Sequence, residues 1–248
     1  MQSAHQVLDP AAGASTDENV CALAVMTKAP RAGQVKTRLV PPLSHEEAAQ
    51  LNVCFLRDTA AAIAEACGDT GRGVAVYTPL GAEAAYTDIL PAEFELLLQR
   101  GDGFGQRLRS ATEDLFQCGF SAVCLIDSDS PTVSAKTYAE AMVLLSKSSD
   151  RVVLGPSDDG GYYLIGLKEN HRELFDRIDW STERVLDQTQ QRARELNLEV
   201  SLLPTGYDVD DPATLRRLCA ELLSGNAAND LAPNTRKFLA QLTAHGKL

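Results

Sequence analysis

The sequence predicts an α/β domain in which helices cover both faces of a mixed, mostly parallel sheet, giving three αβα layers. Short apolar segments alternate along the chain with longer segments whose apolar residues recur at helical spacing. Several short segments stop at glycine, proline or acidic residues, as buried parallel strands do. A length of 248 residues is sufficient for one domain with a well-buried core.

The elements follow one another in a regular order. The first strand is the apolar run 21–27, which stops at a turn rich in Lys, Pro and Gly, and the first helix begins at Ser44, where Ser44 and Glu47 form a capping-box pattern. Further β-rich apolar runs predict strands at 74–77, 94–98, 123–126, 151–154, 162–167 and 199–203. Helical spacing between them predicts helices at 105–116, 136–146, 182–196, 212–223 and 232–242.

Composition restricts the classes of function. The formal net charge of −11 argues against a nucleic-acid binder, whose affinity depends on Lys and Arg contacts with phosphates. No apolar run reaches the roughly 18 residues that a membrane span requires. Residues 1–20 lack the basic and apolar segments of a signal peptide, so we expect a disordered leader followed by one domain at 21–248. Six scattered cysteines without a C-x-x-C pair indicate buried thiols in a cytoplasmic protein rather than a zinc site.

The loop after the first strand concentrates positive charge in an acidic protein. It carries Lys28, Arg31, Lys36 and Arg38, and backbone amides near Gly33 could add further donors. In open α/β sheets, ligands bind outside the carboxyl ends of the strands, so a phosphate-bearing ligand is expected here. The loop lacks the glycine that precedes the lysine in a P-loop. The alternative interpretation is a solvated basic loop.

Three acidic segments follow later strands. Asp127 and Asp129 end the central strand and share a face, an arrangement that suits a cation bound with substrate phosphates; a strand-end turn is the alternative. In the second segment, Asp158 or Asp159 could orient a substrate hydroxyl or accept its proton, and Asp159 is expected to lie nearer the acceptor. Two glycines beside them allow close backbone approach, although a tight turn explains the pattern equally well. In the third, ordinary helix capping accounts for Asp211, whereas Asp208 and Asp210 could bring a further carboxylate to the same metal.

Five segments, taken together and in this order, resemble a bacterial family of glycosyltransferase-like proteins with the nucleotide-diphospho-sugar transferase (GT-A, Rossmann-like) fold, known as arsenosugar-biosynthesis glycosyltransferases. The segments are 28–39, 128–131, 154–167, 180–182 and 208–212. The plan is also similar to that of phospholactate guanylyltransferase and CMP-Kdo synthetase, in which an Asp-x-Pro after a central strand and a late Val-Asp-x-Pro bind the metal.

The resemblance implies a set of site residues. Asp129 and Asp210 are expected to bind Mg²⁺ or Mn²⁺. The family usually has glycine where this chain has Asp127, which is therefore placed with the nucleotide-binding residues. The resemblance also implies that Lys28, Lys36 and Arg38 contact phosphates. With the residues taken from the segments themselves, the nucleotide-binding candidates are Lys28, Arg31, Gly33, Lys36, Arg38, Asp127, Gly160 and Gly161, and the catalytic candidates are Lys36, Arg38 and Asp159.

The expected function is metal-dependent transfer from a nucleotide-activated donor to a small-molecule acceptor, without nucleic acid or membrane. Glycosyl transfer from a nucleotide sugar is favoured by the family resemblance. Nucleotidyl transfer with release of pyrophosphate would use the same site. A nucleotide-binding protein without catalysis is the alternative of another class, and a separation of more than about 10 Å between the two metal-binding carboxylates would favour it. The sequence does not specify the base, the sugar, the acceptor or the oligomeric state.

Overall fold

The computed structural model describes residues 5–13, 19–224 and 230–248. Seven strands of the described chain form one sheet: β1 (Cys21–Lys28), β2 (Gly71–Thr78), β3 (Glu95–Leu98), β4 (Ala122–Ile126), β5 (Arg151–Pro156), β6 (Tyr162–Leu167) and β7 (Glu199–Leu202). The α-helices are α1 (His45–Cys67), α2 (Phe104–Gln117), α3 (Ala135–Leu145), α4 (Val185–Glu195), α5 (Pro212–Leu223) and α6 (Pro233–Ala244). Every predicted strand and helix is present, with ends that differ by a few residues.

The sheet has the strand order β3-β2-β1-β4-β6-β5-β7 and is parallel apart from β6. Strand β6 runs antiparallel to both of its neighbours, β4 and β5. The carboxyl ends of β1, β4, β5 and β7 therefore meet at one edge, together with the turn between β5 and β6. The prediction of a mixed, mostly parallel sheet is confirmed.

Apolar side chains fill both faces of the sheet, as the alternation along β1 shows. Leu23 and Val25 point into a cluster with α1 and α3, whereas Ala22 and Ala24 point into a cluster with α2 and α4. A third cluster joins the first half of α1 to α5 and α6. The predicted three-layer arrangement is confirmed, and five of the six cysteines are buried within it.

Part of the segment expected to be a disordered leader packs against the sheet. The amide of Leu8 donates to the carbonyl of Leu96 at 2.7 Å, and the amide of Leu96 donates to the carbonyl of Gln6 at 2.8 Å. The buried ring of His5 lies 3.0 Å from the carbonyl of Phe94. Residues 5–8 thus lie along a free edge of the sheet, because an edge strand such as β3 offers unpaired backbone groups. The rest of the predicted leader, at 1–4 and 14–18, lies outside the described residues.

Helix α1 begins with the predicted capping box. The Ser44 hydroxyl accepts from the amide of Glu47, and the Glu47 carboxylate accepts from the amide of Ser44. The helix has 23 residues. Within the ranges that the structure describes, no helix is both long enough and apolar enough to cross a membrane.

A buried carboxylate of α1 holds the C-terminal helix. Asp58 accepts hydrogen bonds from the amide of Asn234 at 3.0 Å, its side-chain amide at 2.8 Å and the amide of Thr235 at 2.8 Å. These donors belong to the first turn of α6, whose amides have no partners within the helix. Asp58 therefore acts as a cap supplied from another helix.

We expect Asp58→Ala to destabilise the protein by about 2–4 kcal/mol, because it leaves buried donors without an acceptor. Urea unfolding followed by circular dichroism measures the change. Asp69→Ala is the control, since it removes an exposed carboxylate just after α1. Equal midpoints for the two variants would contradict the capping role.

Candidate active site

The loop after β1 delivers one lysine to the carboxyl edge of the sheet. Val35 and Leu39 are buried and anchor the loop, and Lys36 between them adopts a left-handed backbone with φ of 49°. Its side chain is only 4% exposed. The ammonium lies 2.8 Å from Asp129 Oδ1 and 2.8 Å from Asp210 Oδ1.

The turn after β4 directs Asp129 towards this lysine. Asp127 accepts hydrogen bonds from the amides of Asp129 and Ser130 and from the Ser130 hydroxyl, the last at 2.8 Å. Burial, together with the neighbouring charge of Asp129, raises the pKa of Asp127 to about 8. Asp127 therefore organises the turn, while Asp129 presents its carboxylate to the loop.

The acidic segment before α5 supplies the second carboxylate. The amide of Val209 donates to the carbonyl of Asp129 at 3.0 Å, which ties this segment to the turn after β4. The carbonyl of Val209 accepts from the Lys36 ammonium at 2.7 Å. Asp211 forms a capping box with Thr214 at the start of α5, so its interpretation as a helix cap is confirmed.

Asp129, Val209 and Asp210 surround the Lys36 ammonium with three oxygens. Burial lowers the pKa of Lys36, but the two carboxylates outweigh this effect and raise it. Carboxylate and carbonyl oxygens are also the ligands that Mg²⁺ and Mn²⁺ accept. Because these oxygens are directed at a single positive charge, the residues present fit a divalent cation at this point.

A cavity of about 280 Å³ lies beside the Lys36 ammonium. Its lining includes Lys28, Gln34, Val35, Lys36, Thr37, Arg38, Asn52, Ser128, Asp129 and Asp210. Lys28, Lys36 and Arg38 are thus brought together as predicted. Arg31 and Gly33 are exposed parts of the same loop and are not among the residues that line the cavity.

Asn52 is a site residue that sequence analysis did not single out. It is 5% exposed, and its Oδ1 has no hydrogen-bond partner in the described structure. The available signal was a polar amide within the apolar face of α1. A buried acceptor without a partner costs free energy, so its position in a cavity wall is consistent with a ligand contact.

A larger cleft of about 600 Å³ opens next to the carboxylate pair. Asp159 and Gly161 line it, and Asp159 accepts from the amide of Gly161 at 2.8 Å. The predicted role of Gly161 in nucleotide binding and that of Asp159 beside the acceptor stay predictions. Asp208 faces this cleft and accepts from the Ser157 hydroxyl at 3.3 Å. Burial and the neighbouring carboxylates raise its pKa to about 6. Asp208 and Asp210 therefore have different surroundings: of these two, only Asp210 contacts Lys36, whereas Asp208 faces the larger cleft.

Gly160 shapes the cleft without lining it. It has a φ of +90°, and a Cβ at this position would lie 2.1 Å from the backbone oxygen of Glu183. The carbonyl of Gly160 accepts from the amide of Leu186 at 2.9 Å. This glycine thus allows the turn between β5 and β6 to contact the segment that leads into α4.

A separate group of possible ligands lies at the opposite edge of the sheet. Asp150, Glu169 and His171 place ligand atoms within 4.8 Å of one another. They flank the start of β5 and the end of β6, whereas the Lys36 site lies at the other ends of these strands. His171 Nε2 lies 2.8 Å from Asp150 Oδ2, and this pairing accounts for the contact without a metal.

The sequence matches the model of a family described as "Uncharacterized protein conserved in bacteria (DUF2064)" over residues 48–182, more than half of the chain. The chain belongs to the DUF2064 family. The region matched to the family contains the turn after β4 and the turn between β5 and β6, while Lys36 and Asp210 lie on either side of it. No protein of curated function matches the sequence.

Several solved structures have a similar fold. A protein from Desulfovibrio desulfuricans G20, provisionally assigned as a nucleotide-diphospho-sugar transferase, has a TM-score of 0.81 and 27% identity, and the match covers 92% of this chain and 96% of that one. A 4-diphosphocytidyl-2C-methyl-D-erythritol synthase has a TM-score of 0.51 and 13% identity, with 82% and 99% covered. Glucosyl-3-phosphoglycerate synthase from Mycobacterium tuberculosis, in complex with Mn²⁺, UDP and glucosyl-3-phosphoglycerate, has a TM-score of 0.50 and 10% identity, with 91% and 79% covered. The predicted fold family is confirmed.

Trp180, the single tryptophan of the sequence, lines the larger cleft. Trp180 packs against Phe104 with ring centroids 5.4 Å apart, and a Cβ at Gly105 would lie 2.1 Å from the Nε1 of Trp180.

We expect Gly105→Ala to displace the indole of Trp180 into water, shift its fluorescence emission to longer wavelength and cost about 1–3 kcal/mol of stability. Gly103→Ala is the control, since a Cβ there has no heavy atom within 4 Å. Identical emission spectra for both variants would disprove this packing.

Proposed function

We propose that this protein transfers a group from a nucleotide-activated donor, with the donor diphosphate bound between the β1 loop and a divalent cation on Asp129 and Asp210. One observation carries the proposal: both carboxylates contact the same ammonium, that of Lys36, at 2.8 Å. The residues come from three segments far apart in the sequence. Their convergence beside a basic cavity is what binding of a metal–diphosphate requires.

Each group has a role that follows from its position. The cation, when bound, neutralises charge on the diphosphate as it leaves. Lys36 and Arg38 line the cavity next to it and donate hydrogen bonds to phosphate oxygens, which stabilises the same developing charge. Lys28 at the end of β1 adds positive charge to the cavity. Asp159 faces the larger cleft, where it can accept the proton of an acceptor hydroxyl.

The charge of the larger cleft favours glycosyl transfer over transfer of a nucleotidyl group to a phosphorylated acceptor. Apart from the two proposed metal ligands, the charged residues that line it are Arg38 and the acidic Asp159, Glu183, Asp208 and Asp211. Asp127 also lines it but, with a pKa raised to about 8, is mostly protonated at neutral pH. An anionic acceptor would be repelled there. Carboxylates accept hydrogen bonds from hydroxyls, and Phe104 and Trp180 offer apolar surface, so a neutral hydroxylated acceptor fits this cleft.

The proposed reaction exchanges one bond for another at the sugar. The bond between the anomeric carbon and the diphosphate oxygen breaks, and the nucleoside diphosphate leaves with its electron pair. The acceptor oxygen forms the new bond to the anomeric carbon, and its proton passes to a carboxylate of the cleft. A binding protein without catalysis is less well supported, since carboxylates far apart would have favoured it, whereas Asp129 and Asp210 share one cation position.

Calorimetry with nucleotide sugars and nucleoside triphosphates, first with Mg²⁺ and then with EDTA, tests donor binding. We expect at least one nucleotide sugar to bind more tightly with Mg²⁺. Asp210→Asn should reduce the Mg²⁺-dependent gain at least about tenfold, because it removes a charged ligand. Asp187→Asn removes the same charge from the exposed surface of α4 and should retain the gain. Equal binding in Mg²⁺ and EDTA would rule out the proposed site.

A product assay distinguishes the two transfer reactions. With a bound nucleotide sugar and a neutral sugar or polyol acceptor, we expect nucleoside diphosphate to accumulate without pyrophosphate. Chromatography of the nucleotides and a coupled pyrophosphate assay measure both products in one reaction. Pyrophosphate release from a nucleoside triphosphate, dependent on Asp129 and on a phosphorylated acceptor, would instead establish nucleotidyl transfer.

A further inference from the structure

The Lys36 ammonium directs all of its donors at oxygens of the protein itself. An ammonium has three hydrogen-bond donors. Lys36 contacts Asp129 Oδ1 and Asp210 Oδ1 at 2.8 Å each and the carbonyl of Val209 at 2.7 Å. The ring of Phe55 lies 5.3 Å from its nitrogen. The charge is therefore fully compensated without any phosphate.

The same oxygens are the available ligands for a divalent cation. Mg²⁺ binds oxygen at about 2.0–2.1 Å and requires ligands directed at it. A cation that binds Asp129, Asp210 and the carbonyl of Val209 must therefore replace the Lys36 ammonium. A cation on the outer lone pairs would still be repelled by the ammonium, with little water between them because the lysine side chain is only 4% exposed.

The adjacent cavity offers the ammonium a second position. Lys36 itself lines this cavity, together with Lys28, Thr37 and Arg38. Asn52 lines it too, with a buried Oδ1 that has no partner in the described structure. A lysine carries its charge on a flexible four-carbon stem, so the ammonium can turn from the carboxylates towards a phosphate and this amide oxygen.

We propose that Lys36 is a built-in cation that occupies the metal position until a diphosphate draws it away, so that divalent metal and nucleotide bind cooperatively. The inference rests on the proposed function and adds the order of binding to it. In the absence of nucleotide, Lys36 and Arg38 together balance the negative charge of Asp129 and Asp210. Arg38 Nη1 lies 3.7 Å from Asp210 Oδ2. A diphosphate brings further negative charge, and both the lysine and the metal are then required.

The proposal makes Lys36 an inhibitor of metal binding in the nucleotide-free protein. Mn²⁺ is the probe, and electron paramagnetic resonance of free Mn²⁺ measures its dissociation constant. We expect Lys36→Met to bind Mn²⁺ at least about tenfold more tightly than the wild type, a coupling of ordinary size for two linked ligands. Lys237→Met removes the same charge from the exposed surface of α6 and should change the affinity by no more than about twofold.

Two results would overturn the proposal. One is equal or weaker Mn²⁺ binding by a folded Lys36→Met variant, including the case in which neither it nor the wild type binds Mn²⁺. The other comes from the wild type, where the lysine ammonium ¹H–¹⁵N spectrum is recorded during titration with Mg²⁺. The Lys36 signal should shift or be lost to exchange as the metal binds, whereas an unchanged signal at saturation contradicts the proposal. This second measurement also decides the matter should the variant fail to fold.

These measurements are independent of donor chemistry, because they contain no nucleotide. Tighter Mn²⁺ binding by Lys36→Met, together with no nucleotide binding in calorimetry, would uphold the inference and reject the proposed transferase. The opposite result is also possible: the wild type binds nucleotide only with metal, but its Mn²⁺ affinity equals that of Lys36→Met. That outcome would uphold the proposed donor site and reject the inference about Lys36.

Discussion

Two carboxylates can both stay ionised in a partly buried pocket only when positive charge lies between them, and here that charge is the ammonium of Lys36. Asp210 is 174 residues from this lysine along the chain. The parallel sheet makes the contact possible, because it brings the ends of β1, β4 and β7 to one edge. The ion pairs in turn fix the loop after β1 against the segment before α5. Fold and site therefore depend on the same electrostatic constraint.

Much of the architecture could be predicted because local chemistry marks it. Apolar runs that stop at charged or glycine-rich turns identified the strands, and Ser44 with Glu47 identified the start of α1. The residues that end the strands also supplied most of the candidate site. By contrast, the packing of residues 5–8 depends on the unpaired edge of β3, which no local pattern near His5 encodes.

The roles of individual site residues were less predictable, since partners in space determine them. Asp127 and Asp129 are one residue apart in a repeating pattern, yet the first accepts three hydrogen bonds within its own turn and the second contacts Lys36. Asn52 looks like any polar residue of a helix until the cavity beside it is known. The sequence predicted Lys36 as a phosphate ligand, and only the folded site shows that Asp129 and Asp210 contact its ammonium.

The reversed direction of β6 separates the two halves of the site along the chain. Because β5 and β6 form an antiparallel pair, their connecting turn lies at the same edge as the loops of β1 and β4. The larger cleft thus receives much of its wall from one continuous stretch, from Ser157 to Val185, while the β1 loop, the β4 turn and Asp210 hold the charged centre. Substitutions in that stretch can alter the shape of the cleft during evolution without displacing the charged centre. Under the proposed function, divergence of this single segment would be sufficient to change the acceptor that the cleft binds.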